Sequence, residues 1–263
     1  MSCRLLALVL TLLSASPATA LSPDKLKQIN FDQNVGQSIS PDLIFRDSDN
    51  SPVKLRDCIN HKPTLLVLGY YHCPMLCLLV NDGLINALQQ LRLSVGIDFN
   101  VVDLSIDSRE TPALAAAKKN QYLKRYGRRE AAKGWHFLTG DESSVATVAS
   151  EAGFHFVYDR ETNEFAHPSG VVVLTPDGRI SRYFLGVNIE PRELNSAITA
   201  ASQGESGSVV NRLVLLCYHY NPISGRYGTI IMSCIRVSGL LTLVTIGGLI
   251  FYLARSRRRS LAN

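Results

Sequence analysis

Residues 69–84 read GYYHCPMLCLLVNDGL and set Cys73 and Cys77 four apart, where one pattern gives way to another. Before them, Thr64 to Tyr70 (TLLVLGY) is a continuous apolar run of strand length; after them, Leu76 to Leu91 (LCLLVNDGLINALQQL) spaces its apolar residues for one helical face. A strand passing into a helix through two cysteines is therefore the expected core unit. Phe99 to Ile106 (FNVVDLSI) predicts the next strand, and TPALAAAKKNQYLKRYG predicts a helix with Thr111 as N-cap and Pro112 in its first turn. Trp135 to Leu138 (WHFL) reads as a short strand, and Asp141 to Ala152 as a helix capped by Asp141.

The rhythm then changes. FHFVYD is followed by GVVVLTPDGRISRYFLGV, in which Pro176-Asp177-Gly178 is a turn between two strands, and Glu190 to Ala201, led by Pro191, predicts a closing helix. A β-α-β-α-β unit followed by an antiparallel hairpin and a helix is the order of an α/β, thioredoxin-like fold. The expected folded domain spans residues 41–202, after a polar and weakly patterned N-terminal arm over residues 21–40.

Both chain ends point to a membrane. Residues 1–20 combine Arg4, an apolar run from Leu5 to Leu13 and the small-residue end Ala18-Thr19-Ala20, the pattern of a cleaved signal peptide. QGESGS, residues 203–208, opens a flexible linker and juxtamembrane segment that runs to residue 228. Residues 237–254 are apolar without a charge, and at ~1.5 Å per residue they cover most of a hydrocarbon core ~30 Å thick. The predicted transmembrane helix is 229–254, and the arginine-rich tail 255–263 is placed in the cytoplasm by positive-inside bias. The folded body then faces the periplasm or the outside, with the chain crossing the membrane once. The formal charge of +5 owes much to that tail, so no nucleic-acid partner is implied.

Of six cysteines, Cys3 leaves with the signal peptide, and Cys58, Cys73, Cys77, Cys217 and Cys234 remain. An odd number at irregular spacing does not describe a disulfide scaffold. Backbone N–H groups exposed at a helix start stabilise negative charge, so Cys73 and Cys77 are predicted to favour thiolates. At i and i+4 their Cβ atoms stand ~5–6 Å apart, a span two sulfurs can close around a soft metal ion. A disulfide needs ~3.8 Å and a tightened loop, which Pro74 would permit, so both chemistries are open. Buried, inert thiols are the plain alternative. A metal would need a third ligand. His72 adjoins the motif but is expected to point away, whereas His61, His136 and His155 lie beside or within strands, where core or surface roles suit them. His167, in a loop before a strand, stands at the edge where the cysteine loop also lies, as ligand or as loop residue.

Tyr71-His72-Cys73-Pro74-Met75-Leu76-Cys77, Ser105-Ile106-Asp107 followed by Thr111-Pro112, Gly134 to Gly140 (GWHFLTG), and His167 shortly before Pro176-Asp177-Gly178 together resemble the Sco/SenC family. The resemblance runs from about Leu43 to Ala201. It implies a membrane-tethered, thioredoxin-like copper chaperone that helps to assemble the copper A centre of cytochrome c oxidase. Cys73, Cys77 and His167 match the family's copper ligands, for Cu(I) and Cu(II), and Asp107 is a candidate supporting residue behind them. The implied partners are the copper-bearing subunit of the oxidase and another periplasmic copper carrier or thiol reductant. Leu78 and Ser108 stand where many members carry proline, Pro168 follows His167, and the anchor is C-terminal instead of N-terminal.

Two further readings use the same residues. A thiol-disulfide oxidoreductase would employ Cys73 and Cys77 as a redox-active catalytic pair and dispense with His167. A peroxiredoxin-like peroxidase would need a threonine or serine three residues before its cysteine to orient a peroxide, and those places hold Tyr70 and Pro74. Near the membrane, Cys217 and His219 among Tyr218, Tyr220 and Tyr227 form a candidate accessory metal or partner site, although tyrosines also suit a bilayer interface without one. Cys58 is expected in the core and Cys234 in the membrane.

Overall fold

The computed structural model describes residues 28–73 and 76–206, with four further helical positions, Ser238, Leu241, Thr242 and Thr245. The expected signal peptide, most of the linker and anchor, the basic tail, and Cys217, His219 and Cys234 lie outside the described residues. Among the described residues no helix is long and apolar enough to cross a membrane.

A five-stranded sheet forms the centre. β4 (Thr64–Gly69), β5 (Asn100–Ser105) and β6 (Trp135–Leu138) run parallel, and β10 (Gly170–Leu174) joins β4 antiparallel, with β11 (Ile180–Leu185) antiparallel outside it. All residues of β4, β5 and β10 are buried, which is why they read as continuous apolar runs instead of alternating ones. Successive side chains still point to opposite faces. Leu65, Val67, Val101 and Phe137 pack beneath α2 (Leu76–Gln89), α3 (Pro112–Tyr126) and α5 (Pro191–Ser202) with Leu84, Leu88, Tyr122 and Ile198. Leu66, Leu68, Val102 and Leu138 pack on the other face with α1 (Leu55–Ile59) and α4 (Glu142–Glu151), through Cys58, Val145 and Val148. Each fully buried leucine or valine contributes roughly 1.5–3 kcal/mol, so these two faces dominate the stabilisation.

The caps form as the residue types predict: Thr111 and Asp141 accept hydrogen bonds from Leu114 N–H and Ser144 N–H. The turn at Pro176-Asp177-Gly178 closes on Gly178 with φ +81°, a conformation glycine adopts without strain. Cys58 is fully buried, and burial pushes its thiol up to about 12, as suits a core cysteine.

Three parts differ from expectation. Residues 30–40 belong to the folded body: β1 (Asn30–Phe31) pairs with β7 (Phe154–His155), and Phe31 and Ile39 are buried. Their apolar anchors are too few and too widely spaced to carry a period, so only the tertiary partner reveals them. FHFVYD is two strands, because Val157–Asp159 (β8) turns back to pair with Glu164–Ala166 (β9) in a small hairpin outside the main sheet. A short hairpin, β2 (Ile44–Arg46) with β3 (Pro52–Lys54), precedes α1.

Asp103 interrupts the buried strand β5, between β4 and β6. It is 3% exposed and its Oδ2 has no hydrogen-bond partner. Burial raises its carboxyl from the ordinary 3.8 to about 7; the Asn81 amide and Lys118 pull it down, and Glu110 adds to the rise. Because the folded-state value lies above the unfolded one, the folded chain holds this proton more tightly. The associated stability is complete below about pH 4 and is lost as the pH rises to about 7. We expect the melting temperature of Asp103→Asn, relative to the parent, to climb as the pH goes from 4 to 7 and then level off, as thermal denaturation followed by circular dichroism would show.

Candidate metal centre

The antiparallel register between β4 and β10 sets Val67 opposite Val171, so residues just before β10 lie beside those just after β4. His167 is thereby carried to the cysteine loop. Cys77 Sγ and His167 Nε2 are 3.3 Å apart, and Cys77 N–H donates to Cys73 Sγ at 3.4 Å. The ligand atoms of Cys73, Cys77 and His167 all lie within 4.8 Å of one another, and this is the one such group of three among the described residues. Neither cysteine is in a disulfide.

Each donor is oriented from behind. His167 Nδ1 lies 2.7 Å from the carbonyl oxygen of Pro168. A carbonyl only accepts, so Nδ1 carries the hydrogen and the Nε2 lone pair faces Cys77. The rings of Tyr70 and Phe154 pack against the imidazole at 5.8 and 5.7 Å. Tyr70 N–H donates to Cys77 Sγ at 3.4 Å, and Gly69 leaves room for that sulfur, since a Cβ there would stand 2.9 Å from it.

The expectation of two easily formed thiolates is corrected at Cys77. Its hydrogen bond with Cys73 and its burial hold the thiol far above the ordinary cysteine range, and the Tyr70 N–H offsets only part of that. Position in the first turn of a helix is a weak electrostatic aid, whereas burial beside a second sulfur is a strong penalty. A metal that binds here must displace the proton, which couples loading to pH.

The remaining candidates separate. Asp107 is bound to Arg109, Nε at 2.7 Å and a terminal nitrogen at 2.8 Å, and stands outside the three-ligand group. Arg109 continues over the rings of Tyr158 and Phe165 at 4.8 and 5.6 Å and reaches Asn163, so the pair fastens the β8–β9 hairpin to the loop after β5. Phe165 in turn packs on Tyr70 at 5.6 Å. His72 stands outside the three-ligand group, with Nδ1 3.1 Å from Glu110 Oε1; His136 is bound to Asp47 at 2.7 Å, and His155 to Asp32 at 2.9 Å. Cys217 and His219 lie outside the described residues.

Sequence reasoning did not find Glu110. Its side chain is 1% exposed and accepts Tyr71 N–H and His72 N–H, each at 2.7 Å, and the Ser105 hydroxyl at 2.6 Å. It fixes the backbone that leads into Cys73. Its position before Thr111-Pro112 reads only as a polar residue near a helix start.

A parallel-and-antiparallel sheet of this order, with two thiols and an imidazole converging where β4 meets α2, defines a thioredoxin-like protein with a soft-metal site. The SCO1/SenC family model matches residues 32–203, and the chain belongs to that family. A protein from Aquifex aeolicus VF5 is 28% identical, with a TM-score of 0.56 over 65% of this chain and 95% of its own. Arabidopsis thaliana ScoI, solved with copper bound, shares the fold at 19% identity, with a TM-score of 0.51 over 64% of this chain and 99% of its own. BsSco, described as having a disulfide switch and as a member of the Sco family of cytochrome c oxidase assembly proteins, does so at 18% identity, with a TM-score of 0.51 over 66% and 98%. No curated protein matches significantly.

Gly69→Ala would press a methyl group on Cys77 Sγ without changing a donor atom. We expect it to weaken Cu(I) binding by about tenfold or more, the scale on which residues supporting a metal site act, with the fold retained. A competition titration against a chelator, alongside circular dichroism, checks this.

Proposed function

We propose that this protein is a copper chaperone that receives copper on Cys73, Cys77 and His167 and delivers it to the copper A centre of cytochrome c oxidase. The observation that carries the reading is the convergence of two thiols and one imidazole, from elements 90 residues apart, with all ligand atoms within 4.8 Å. Two soft sulfurs and an imidazole suit Cu(I) and accommodate Cu(II). Family membership supports the same reading, as does the description of BsSco among oxidase assembly proteins.

The chain's own groups account for capture and release. The Pro168 carbonyl holds the His167 tautomer that presents Nε2, Gly69 and Tyr70 N–H seat Cys77 Sγ, and Glu110 fixes the approach to Cys73. Loading expels the Cys77 proton to water, and the return of that proton favours release. Three donors leave the ion open to a further ligand from the partner, so transfer to the copper-bearing oxidase subunit proceeds by ligand exchange and no covalent substrate is turned over. An anchor over residues 229–254, with the body outside the cytoplasm and the basic tail inside, would hold the chaperone at the membrane that carries the oxidase; the apolar run and the arginine cluster of the sequence support this.

The proximity of the two cysteines, which form no disulfide, favours a second reading, in which Cys73 and Cys77 reduce cysteines of the oxidase subunit or another partner. His167 separates the two. In a strain lacking this protein, the parent gene is expected to restore copper to the oxidase, while Cys73→Ser/Cys77→Ser and His167→Ala both fail, as metal analysis of purified oxidase would show. Full restoration by His167→Ala would favour the reductase, and restoration by the double cysteine variant would defeat both readings.

A further inference from the structure

Cys73, Cys77 and His167 are only 7, 8 and 8% exposed, so a ligand outside the protein has poor access to any of the three. Passage of an ion between two proteins requires a moment at which both hold it. A buried site therefore needs an accessible donor beside it.

His72 meets that need. Its side chain is 73% exposed, and its Nδ1 lies 3.1 Å from Oε1 of the buried Glu110. Tyr71 N–H, His72 N–H and the Ser105 hydroxyl also converge on this carboxylate, which accepts and does not donate. Nδ1 consequently carries the hydrogen, and the lone pair of the neutral ring sits on Nε2, on the side away from Glu110. A carboxylate behind an imidazole is the arrangement that orients metal-binding histidines. The side chain faces an open cleft of about 460 Å³ that also includes Tyr70, Asp107, Arg109 and Glu164. Tyr70 also lines the enclosed cavity that Cys73, Cys77 and His167 line, so the cleft and the cavity share this residue. His72 and Cys73 are consecutive, with Cα atoms about 3.8 Å apart.

We propose that His72 Nε2 is a transit ligand, which takes Cu(I) from a thiolate-bound carrier and passes it to Cys73. In the first exchange the Nε2–copper bond forms and a carrier thiolate–copper bond breaks. In the second, Cys73 Sγ binds copper and gives its proton to water as Nε2 lets go; Cys77 Sγ, whose proton also goes to water, and His167 Nε2 then replace the remaining carrier thiolates bond for bond. No electron moves, and copper remains Cu(I) throughout. The proposal rests on the copper reading above. It assigns to His72 a kinetic role that leaves the resting ligand set unchanged.

The test compares the parent full-length protein with His72→Asn and His72→Ala, loaded anaerobically from Cu(I)–glutathione and followed by stopped-flow spectroscopy. Asparagine can keep the hydrogen bond to Glu110 at the place of Nδ1 while removing Nε2, which separates ligation from support of the loop. We expect both variants to reach the parent's copper stoichiometry and final spectrum, and to load about tenfold or more slowly. Loading of His72→Asn within twofold of the parent would overturn the transit role, as would a changed spectrum of the loaded variant, which would make His72 a resident ligand. A parent that takes up no copper would overturn the copper reading itself, and the transit role with it.

Discussion

The antiparallel pairing of β10 with β4 is the constraint from which the site follows. It sets residues before Gly170 beside residues after Leu68, and so brings His167 to within 3.3 Å of a cysteine 90 positions earlier. The pairing is fixed because both strands are buried on both faces, where a slip of one residue would exchange the side chains packed against α2, α3 and α5 for those packed against α1 and α4. Ligand geometry is thus secured by the hydrophobic core, and the loops need only aim the donors.

Aiming is done by groups that accept or donate in one way only. The Pro168 carbonyl determines which His167 nitrogen is free, and the Glu110 carboxylate determines the same for His72 while pinning Tyr71 and His72 main-chain N–H groups. Two imidazoles with opposite exposure result: one buried beside the cysteines, the other turned toward solvent. The buried Cys77 thiol is held protonated by its neighbour and by desolvation, so a metal ion that binds there must displace a proton.

Much of this was legible in the residues. The strand-to-helix passage at Cys73 and Cys77, the caps at Thr111 and Asp141 and the hairpin around Gly178 follow from local patterns, because their causes lie within a few positions. His167 was legible only as a candidate, since its proximity to Cys77 arises from strand pairing. Glu110 was missed for the same reason: its partners at Tyr71 and His72 lie almost 40 positions away, and nothing near it marks it as buried. The thiolate expectation failed at Cys77 because a helix start can be read from sequence while the desolvation of a particular sulfur cannot. Phe31 and the β8–β9 hairpin escaped notice because two- and three-residue strands are too short to show a period.

Copper K-edge X-ray absorption of the anaerobically loaded Cu(I) protein tests the central claim most directly, because it counts the donor atoms around the ion. The account predicts two sulfurs and one imidazole nitrogen in the parent, with the nitrogen lost in His167→Ala. A sulfur-only environment in the parent, or an imidazole contribution that persists in His167→Ala, would contradict it.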